Sequence, residues 1–390
     1  MVTFVPFSGY RPSLKNGEDI GDRISPPYDV ISSEYLEEFK SKRCNVTNLT
    51  LKPNDGRYTE SRKELESWIS GGSLVKDDDS FYLYRQRFIS GGTTLIRTGI
   101  VGILRTEPYG NGNIIPHEET FSAVKQDRLN LLRDMETHLE SIFGIFEGFS
   151  KELSGRIEKA SEILYEYTDA DGVEHEFGRI SDKDIIKSIT DGLKGQKILI
   201  ADGHHRYETA LNYSSENPND VKKGYVLATL VSSDDPGLVI WPTHRLLDSS
   251  VNEEDAVEAI YKKMELSGTL PADDMFKELR EWQMGLMFRS GRCCLARYDT
   301  DDPLWSLDTY AAQELIIKKV YGNGVKVSYD AETDSVRKKM TEGKHDLAIL
   351  LNPPDLKTIW GLCAIGKRMP KKTTYFFPKI WSGFVFYKMV

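Results

Sequence analysis

The sequence lacks long apolar runs and has no excess of basic residues. No run of about 18 apolar residues, the minimum for a membrane-spanning helix, occurs among the 390 residues. The 51 Lys and Arg are outnumbered by 60 Asp and Glu, which gives a net charge of −9 and argues against a duplex-DNA binder. The first residues also lack the pattern of a signal peptide. We therefore expect a soluble cytoplasmic protein with no membrane or nucleic-acid partner.

Cysteines are few, and repeats and low-complexity linkers are absent. The four cysteines (Cys44, Cys293, Cys294 and Cys363) show no CxxC spacing. The adjacent pair lies in the apolar stretch CCLARY, which favours a buried strand over a metal site or a disulfide. A chain of 390 residues exceeds the ~250–300 residues at which single cores stop growing, so more than one subdomain is expected.

The stretch KILIADGHHRYETA, residues 197–210, is the most informative part of the sequence. Its contiguous apolar residues predict a buried strand. The Gly203 turn ends that strand, and Tyr207 and Ala210 recur at helical spacing, which predicts that a helix begins after the turn. Backbone N–H groups at a helix N-terminus, together with the planar guanidinium of Arg206, suit a phosphate or carboxylate.

The same residues could form an ordinary turn, because Asp-Gly is a common turn sequence and most lone histidines are structural. Five polar or special residues between a strand and a helix are nevertheless more than a turn requires. Ionisable groups of this kind cluster at functional sites. Asp202 can hold Mg²⁺ through water. Neighbouring side chains diverge, so one of His204 and His205 is expected to reach the ligand while the other fixes the loop.

The segment PHEET begins a second polar turn, after the short strand that ends at Ile115 and before a helix. His117, Glu118 and Glu119 gather there. Adjacent carboxylates beside a histidine can bind Mg²⁺ through water or act as a general base, and they can also merely solvate a loop.

Three further segments carry candidate ligand-binding residues. The PPYD loop holds Tyr28 and Asp29 at the end of a rigid, donor-poor run. GLVIWPTHRLLD is expected to be a strand that ends in a hydroxyl, an imidazole and a guanidinium. MPKKTTYFFPK is basic, and it is either a solvated edge strand or a segment that closes over a phosphorylated ligand. These segments supply the candidates Thr243, His244, Arg245 and Lys372.

The element pattern predicts a mixed α/β (α+β) fold. Hairpins are expected through Gly91-Gly92 and through Asp171-Gly172, the second as a peripheral insertion. The C-terminal residues are expected to form a pair of strands. We divide the chain into an N-terminal segment (1–94), a core with the PHEE and DGHHR motifs (95–250) and a C-terminal segment (251–390).

Five motifs in this order (PPYDVIS, PHEET, ADGHHRYETA, PTHRLL and MPKKTTYFFPK) resemble the bacterial and archaeal family called domain of unknown function 1015. Within it, ADGHHRY is similar to the GxHR motif of the ParB and sulfiredoxin-like superfamily. PHEE followed by DGHHRY resembles the free serine kinases of that superfamily, which phosphorylate L-serine with ADP or ATP and Mg²⁺.

The resemblance implies a ParB/sulfiredoxin-like nucleotide-binding core. It implies that a glutamate of PHEE, Glu118 or Glu119, is a candidate base and that His204, His205 and Arg206 hold phosphates. From the chemistry of the residues themselves, we expect Gly203 and Lys372 to contact phosphate as well, and Asp202 and His204 to take part in catalysis. On the same ground, Asp202 and Glu118 are the candidate metal ligands, and the candidate substrate contacts are Tyr28, Asp29, His117, Thr243, His244 and Arg245. Sulfiredoxins carry a cysteine where this chain has His204, which excludes their sulfinic acid reduction.

The leading hypothesis is a small-molecule kinase with Mg²⁺ and ADP or ATP that acts on free L-serine or a similar amino acid. The alternative is a non-catalytic nucleotide-binding switch or interaction module, which needs the DGHHR turn but no paired carboxylates. A nuclease is a third reading, which the net charge of −9 does not favour. The sequence leaves a homodimer open.

Overall fold

The protein is described by a computed structural model that covers residues 1–15, 17–28, 30–31, 33–51, 58–118 and 122–390. Asp29 and Glu119, two of the candidate site residues, lie outside these ranges. The chain divides into two compact units. The first comprises residues 1–116, 120–239 and 378–390, and the second comprises residues 117–119 and 240–377. Both units combine helices and sheets, so the predicted mixed α+β class is confirmed.

A nine-stranded mixed sheet forms the centre of the first unit. Eight strands run across it in the order β6-β11-β8-β12-β5-β4-β10-β9, and β1 pairs with β5 beside this path. The strand before the Gly203 turn, β11, pairs in parallel with β6 and antiparallel with β8. The strands of this sheet are β1 (Phe4–Val5), β4 (Phe81–Ser90), β5 (Thr93–Arg105), β6 (Ile114–Pro116), β8 (Ile142–Phe146), β9 (Glu162–Thr168), β10 (Glu174–Ile180), β11 (Ile198–Asp202) and β12 (Tyr225–Ser232). Outside it, β2 (Tyr10–Pro12) pairs with β3 (Leu74–Lys76), and β7 (Thr137–His138) belongs to another two-stranded sheet.

The helices of the first unit bury one face each, as their amphipathic sequences require. Ile185, Ile189 and Leu193 of α6 and Tyr207 and Ala210 of α7 lie in the same apolar cluster as the central strands. These helices are α1 (Ser33–Ser41), α2 (Thr47–Thr50), α3 (Thr59–Ser70), α4 (Ser122–Met135), α5 (Lys151–Ala160), α6 (Lys183–Leu193) and α7 (His204–Glu216), with 3₁₀ turns at Ile20–Asp22, Tyr109–Asn111 and Lys222–Gly224.

The second unit contains a six-stranded sheet in the order β15-β17-β16-β19-β14-β18 and a separate β13-β20 pair. Its strands are β13 (Val239–Trp241), β14 (His244–Asp248), β15 (Glu265–Leu266), β16 (Met284–Phe288), β17 (Cys293–Arg297), β18 (Lys326–Asp330), β19 (Leu347–Leu351) and β20 (Tyr375–Phe377). Its helices are α8 (Glu253–Tyr261), α9 (Ala272–Glu278), α10 (Asp308–Ala311) continued by a π-helix (Ala312–Tyr321), α11 (Thr333–Thr341) and α12 (Leu356–Ala364), with a 3₁₀ turn at Leu279–Glu281. As predicted, the cysteine pair lies in a buried strand.

Three predictions about the strands were wrong. The β9-β10 hairpin is not a peripheral insertion, because β10 pairs with β4 and continues the large sheet. Thr243–Arg245 do not end the strand that follows the DDPG turn. That strand, β13, stops at Trp241, and His244 begins β14 in another sheet. The C-terminal strands do not pair with each other, since β20 pairs with β13 and the last strand, β21 (Tyr387–Lys388), pairs with β7.

None of the helices in the described ranges combines the length and the apolar character needed to cross a bilayer.

Candidate functional site

The turn between β11 and α7 has the geometry that its sequence predicts. Gly203 is in the left-handed region, at φ 85°, and no side chain caps the helix there. A Cβ on Gly203 would lie 3.0–3.1 Å from the guanidinium of Arg206. The backbone angle therefore favours glycine, and a larger residue would also make the Arg206 side chain shift slightly. The result is a helix N-terminus whose dipole favours a negative group.

Asp202 lies at this turn with two cations. Its Oδ1 accepts a 2.9 Å hydrogen bond from the N–H of Gly203. Its Oδ2 lies 3.3 Å from the Nζ of Lys379 and 3.9 Å from a guanidinium nitrogen of Arg206. Burial alone would raise the pKa of Asp202, but the charges of Lys379 and Arg206 outweigh it and lower that pKa. Asp202 is therefore ionised at neutral pH, and two positive charges converge on the turn.

Lys379 is held by buried side chains of the β4-β5 hairpin. Gln86 donates to the backbone carbonyl of Lys379 at 2.8 Å, and Arg97 donates to Gln86 and to the carbonyl of Pro378. Gln86 and Arg97 are each 1% exposed. Burial lowers the pKa of Arg97 to about 10, which leaves it charged at neutral pH. The hairpin thereby fixes the backbone from which Lys379 reaches Asp202.

Arg206 is fixed from the opposite direction by β8 and its approach. The guanidinium donates to the carbonyl of Ser141. Its helix, α7, packs along α4, and ion pairs join them at Lys125–Glu208 (2.8 Å) and Arg133–Glu216. These contacts give the turn a rigid support, as a preorganised binding site needs.

Tyr28, from the PPYD loop, packs against α4. Its ring is 4.5 Å from the guanidinium carbon of Arg128 in α4, a cation–π distance. Of the two loop residues proposed for substrate binding, Tyr28 is thus placed in the first unit, and Asp29 lies beyond the described residues.

The two histidines of the motif differ in exposure, as expected for neighbours on a helix. His204 is 8% exposed, whereas His205 is more accessible. Their assignment to phosphate stays a prediction.

Of the PHEE residues, His117 and Glu118 belong to the second unit. His117 is fully buried, and its Nε2 forms a 2.9 Å hydrogen bond with the hydroxyl of Thr374. Glu118 forms a bridge with the backbone of Met369. Its negative charge acts on the buried Arg245, whose pKa is lowered to about 10 chiefly by burial. One polar region of the second unit therefore contains His117, Glu118 and Arg245.

Residues 243–245 lie at the start of β14. Both ring nitrogens of His244 are engaged, Nδ1 by the N–H of Leu351 at 3.1 Å and Nε2 by the hydroxyl of Thr333 at 3.2 Å. Burial lowers the pKa of His244 to about 4, so it is neutral. The hydroxyl of Thr243 is buried and has no hydrogen-bond partner within the described ranges. Substrate contact by these residues stays a prediction.

The sequence prediction chose Lys372 from the basic C-terminal segment. Lys372 lies on an exposed turn of the second unit, whereas Lys379, in the first unit, is the lysine beside Asp202. The sequence analysis did not single out Lys379, Arg97 or Gln86 as site residues. A signal existed for Arg97, because a charged residue within the apolar strand LIRTGIVGIL needs a specific buried partner.

Within the described ranges, no group of three or more His, Cys, Asp or Glu side chains is arranged to hold a metal. Each oxygen of Asp202 already accepts one donor, and a carboxylate oxygen can accept a second. Asp202 therefore suits contact with a hydrated ion through water better than direct coordination.

Comparisons with solved structures give distant likenesses. A free serine kinase in complex with AMP is 12% identical, with a TM-score of 0.40, covering 68% of this chain and 83% of that one. A conserved hypothetical protein from Pyrococcus furiosus is 11% identical, with a TM-score of 0.40 and coverages of 69% and 89%. SbnI with a C-terminal truncation, from Staphylococcus aureus, is 9% identical, with a TM-score of 0.40 and coverages of 72% and 85%. Such distant likenesses carry no argument about activity.

No curated protein matches the sequence. The family model described as "Protein of unknown function (DUF1015)" matches residues 4–310, which is most of the chain. The chain therefore belongs to the DUF1015 family.

Proposed function

We propose that this protein is a nucleotide-dependent small-molecule kinase, with ADP or ATP as the phosphate donor and free L-serine or a similar hydroxyl-bearing amino acid as the acceptor. The observation that carries the proposal is the convergence of Lys379 and Arg206 on Asp202, at a helix N-terminus without a side-chain cap. Phosphoryl transfer depends mainly on fixed positive groups around the moving phosphate. This turn supplies two cations and the dipole of α7.

Asp202 keeps the cations in place rather than competing with phosphate. Its single charge faces both Lys379 and Arg206, so a net positive charge remains for the phosphate oxygens. Because Lys379 and Arg206 are anchored through other contacts, little reorganisation is needed when a nucleotide binds. Fixed donors of this kind stabilise developing charge most effectively.

We assign the role of general base, which removes the proton of the acceptor hydroxyl, to Glu118 or Glu119. This assignment rests on the resemblance of PHEE to the free serine kinases. His204 and His205 are assigned to the phosphates on the same ground.

Mg²⁺, when bound with the nucleotide, would neutralise part of the phosphate charge. Asp202 is suited to accept hydrogen bonds from the water shell of the ion, since each of its oxygens keeps a lone pair. Glu118 is the second candidate ligand from the sequence.

The experiment that tests the proposal incubates the protein with ADP or ATP, Mg²⁺ and a panel of free amino acids, and follows products by ³¹P NMR. A phosphorylated amino acid that disappears in EDTA is the expected result. Full activity in EDTA would contradict the metal assignment. Nucleotide binding without any product would instead favour the non-catalytic switch.

A further inference from the structure

A small cavity lies beside α4 and α7, in the first unit. Its volume is about 40 Å³, and its polar lining within the described ranges includes Arg128, Glu140, Arg206 and Thr209. A cavity needs only ~10–15 Å³ to hold one water, while pockets for whole drug-sized ligands measure ~300–1,000 Å³. This space therefore fits a small polar group and not a nucleotide.

Two buried polar atoms of this lining have unmet hydrogen bonds. Arg128 is 7% exposed and bonds through Nε and Nη2 to Asp127, to the Thr50 carbonyl and to the Tyr58 hydroxyl. Its Nη1 has no partner within the described ranges. The hydroxyl of Thr209, a residue only 3% exposed, has none either. Buried donors are rarely left unmet, because each costs free energy.

The donors of the lining suit an anion that accepts hydrogen bonds. The charges of Arg128 and Arg206 are already partly balanced by Asp127, Asp202 and Glu140, so the unmet donors, rather than an excess of charge, select the ligand. His138, also in the lining, adds no charge at neutral pH, because burial lowers its pKa to about 4. An unmet guanidinium N–H and an unmet hydroxyl provide two donors, which match the two oxygens of a carboxylate.

We propose that this cavity binds the carboxylate of an α-amino acid, with Glu140 as the group that favours its ammonium. The identification of this amino acid as the phosphoryl acceptor rests on the proposed function. Arg206 and Thr209 lie on the first turns of α7, so the cavity adjoins the turn assigned to phosphate. The acceptor would thus be recognised by its carboxylate, and an alcohol without one would be a poor ligand.

The test is titration calorimetry on the full chain, with L-serine, L-threonine and L-homoserine as probes. Each is compared with its amide, which lacks the carboxylate. At least one amino acid should bind about 10-fold more tightly than its amide, since a charge-assisted hydrogen bond is worth roughly one decade in affinity or more. Equal binding of acid and amide, or no binding by any of the three, overturns the inference.

Two variants locate the binding. Arg128→Lys keeps the charge but loses the planar fork, and Thr209→Val removes only the hydroxyl. Each should weaken amino-acid binding about 10-fold. Arg87→Lys is the control, because Arg87 lies on β4 and pairs with Glu174 at the surface, and this variant should bind like wild type. Thr209→Val keeps the test decisive if Arg128→Lys does not fold. Unchanged binding in folded variants would refute the site.

The outcomes separate this inference from the proposed function. Carboxylate-dependent binding without any phosphorylated product would leave the cavity assignment standing and remove the kinase. Equal phosphorylation of an amino acid and its amide would support the kinase and remove the cavity assignment. Inorganic phosphate that competes for the cavity, with the same dependence on Arg128 and Thr209, would show a phosphate site and overturn the carboxylate assignment.

Discussion

Replacing Lys379 by Met removes the cation nearest Asp202 while keeping an apolar side chain of similar length. The side chains of Lys379 and Asp202 are 14% and 26% exposed, so water can only partly replace the lost charge. At 3.3 Å, the gross attraction is about 5 kcal/mol with an effective dielectric constant of ~20. The desolvation of both groups offsets much of it, and Arg206 remains at 3.9 Å. We expect the variant to be about 2–3 kcal/mol less stable.

The same substitution should raise the pKa of Asp202, because Lys379 lowers that pKa more than Arg206 does. A carboxyl with a depressed folded-state pKa contributes stability above its unfolded pKa of ~3.9 and loses that contribution as pH falls through the folded value. Lys379→Met should therefore show a smaller loss of stability on acidification than wild type.

A double-mutant cycle isolates the pair. The double variant Asp202→Asn, Lys379→Met removes both charges of the pair, so neither charge is left without its partner. Its loss of stability should therefore be about 1–3 kcal/mol smaller than the sum of the losses in the two single variants. Urea unfolding with an unchanged m-value measures it. The control is Lys388→Met, from the same C-terminal segment, because Lys388 forms no ion pair within the described ranges. Additive effects in the cycle would refute the coupling.

Nucleotide affinity provides the functional readout. If Lys379 contacts phosphate, Lys379→Met should weaken ADP or ATP binding by about 1.5–3 kcal/mol, the scale of a hydrogen bond to a charged group. Calorimetry on Lys379→Met and Lys388→Met decides it. Wild-type affinity in a folded Lys379→Met protein would remove Lys379 from the site.

Three further predictions concern other groups. Arg206→Ala should weaken nucleotide binding by about 1.5–3 kcal/mol, and unchanged affinity by calorimetry in a folded variant would separate the turn from the nucleotide. Glu118→Gln or Glu119→Gln should lower turnover by ~10²–10⁴ with nucleotide affinity retained; wild-type turnover in both would show that neither is the base. Burial raises the pKa of Asp308 to about 7 although Asn352 donates to it, so folding loses stability as pH rises from about 4 to 7. Asp308→Asn should remove that loss. Between pH 4 and pH 8, the stability of the variant relative to wild type should therefore rise by about 2–4 kcal/mol. An equal shift in the melting temperatures of wild type and variant between the two pH values would contradict this prediction.

Local chemistry made part of the fold predictable. The β11-turn-α7 unit was readable because apolar residues, one glycine and helical spacing occur within a few residues of each other. The β4-β5 hairpin was readable because Gly91 and Gly92 both adopt positive φ, as a tight hairpin turn requires. The β9-β10 hairpin was misread because β9 is an edge strand with several exposed residues, and such a strand resembles a surface insertion in sequence.

The composition of the site could be predicted only in part. Asp202 and Arg206 are neighbours in sequence, so their roles could be inferred together. Lys379 meets Asp202 only through tertiary folding, and sequence spacing gives no reason to prefer it to Lys372. Arg97 and Gln86 act by holding a backbone segment far along the chain, and no local pattern specifies that contact. Whether His117, Glu118 and Thr243–Arg245 contact substrate stays a prediction.

The first unit is assembled from pieces that are separated in sequence, since its final segment, residues 378–390, follows the entire second unit. During synthesis Asp202 emerges long before Lys379, so until the last residues are made its carboxylate lacks its principal counter-charge. Closing so long a loop is entropically unfavourable, but the cost grows only with the logarithm of loop length, and prior folding of residues 240–377 would shorten the flexible part. A protein cut after residue 239 would retain the DGHHR turn without the lysine that completes it.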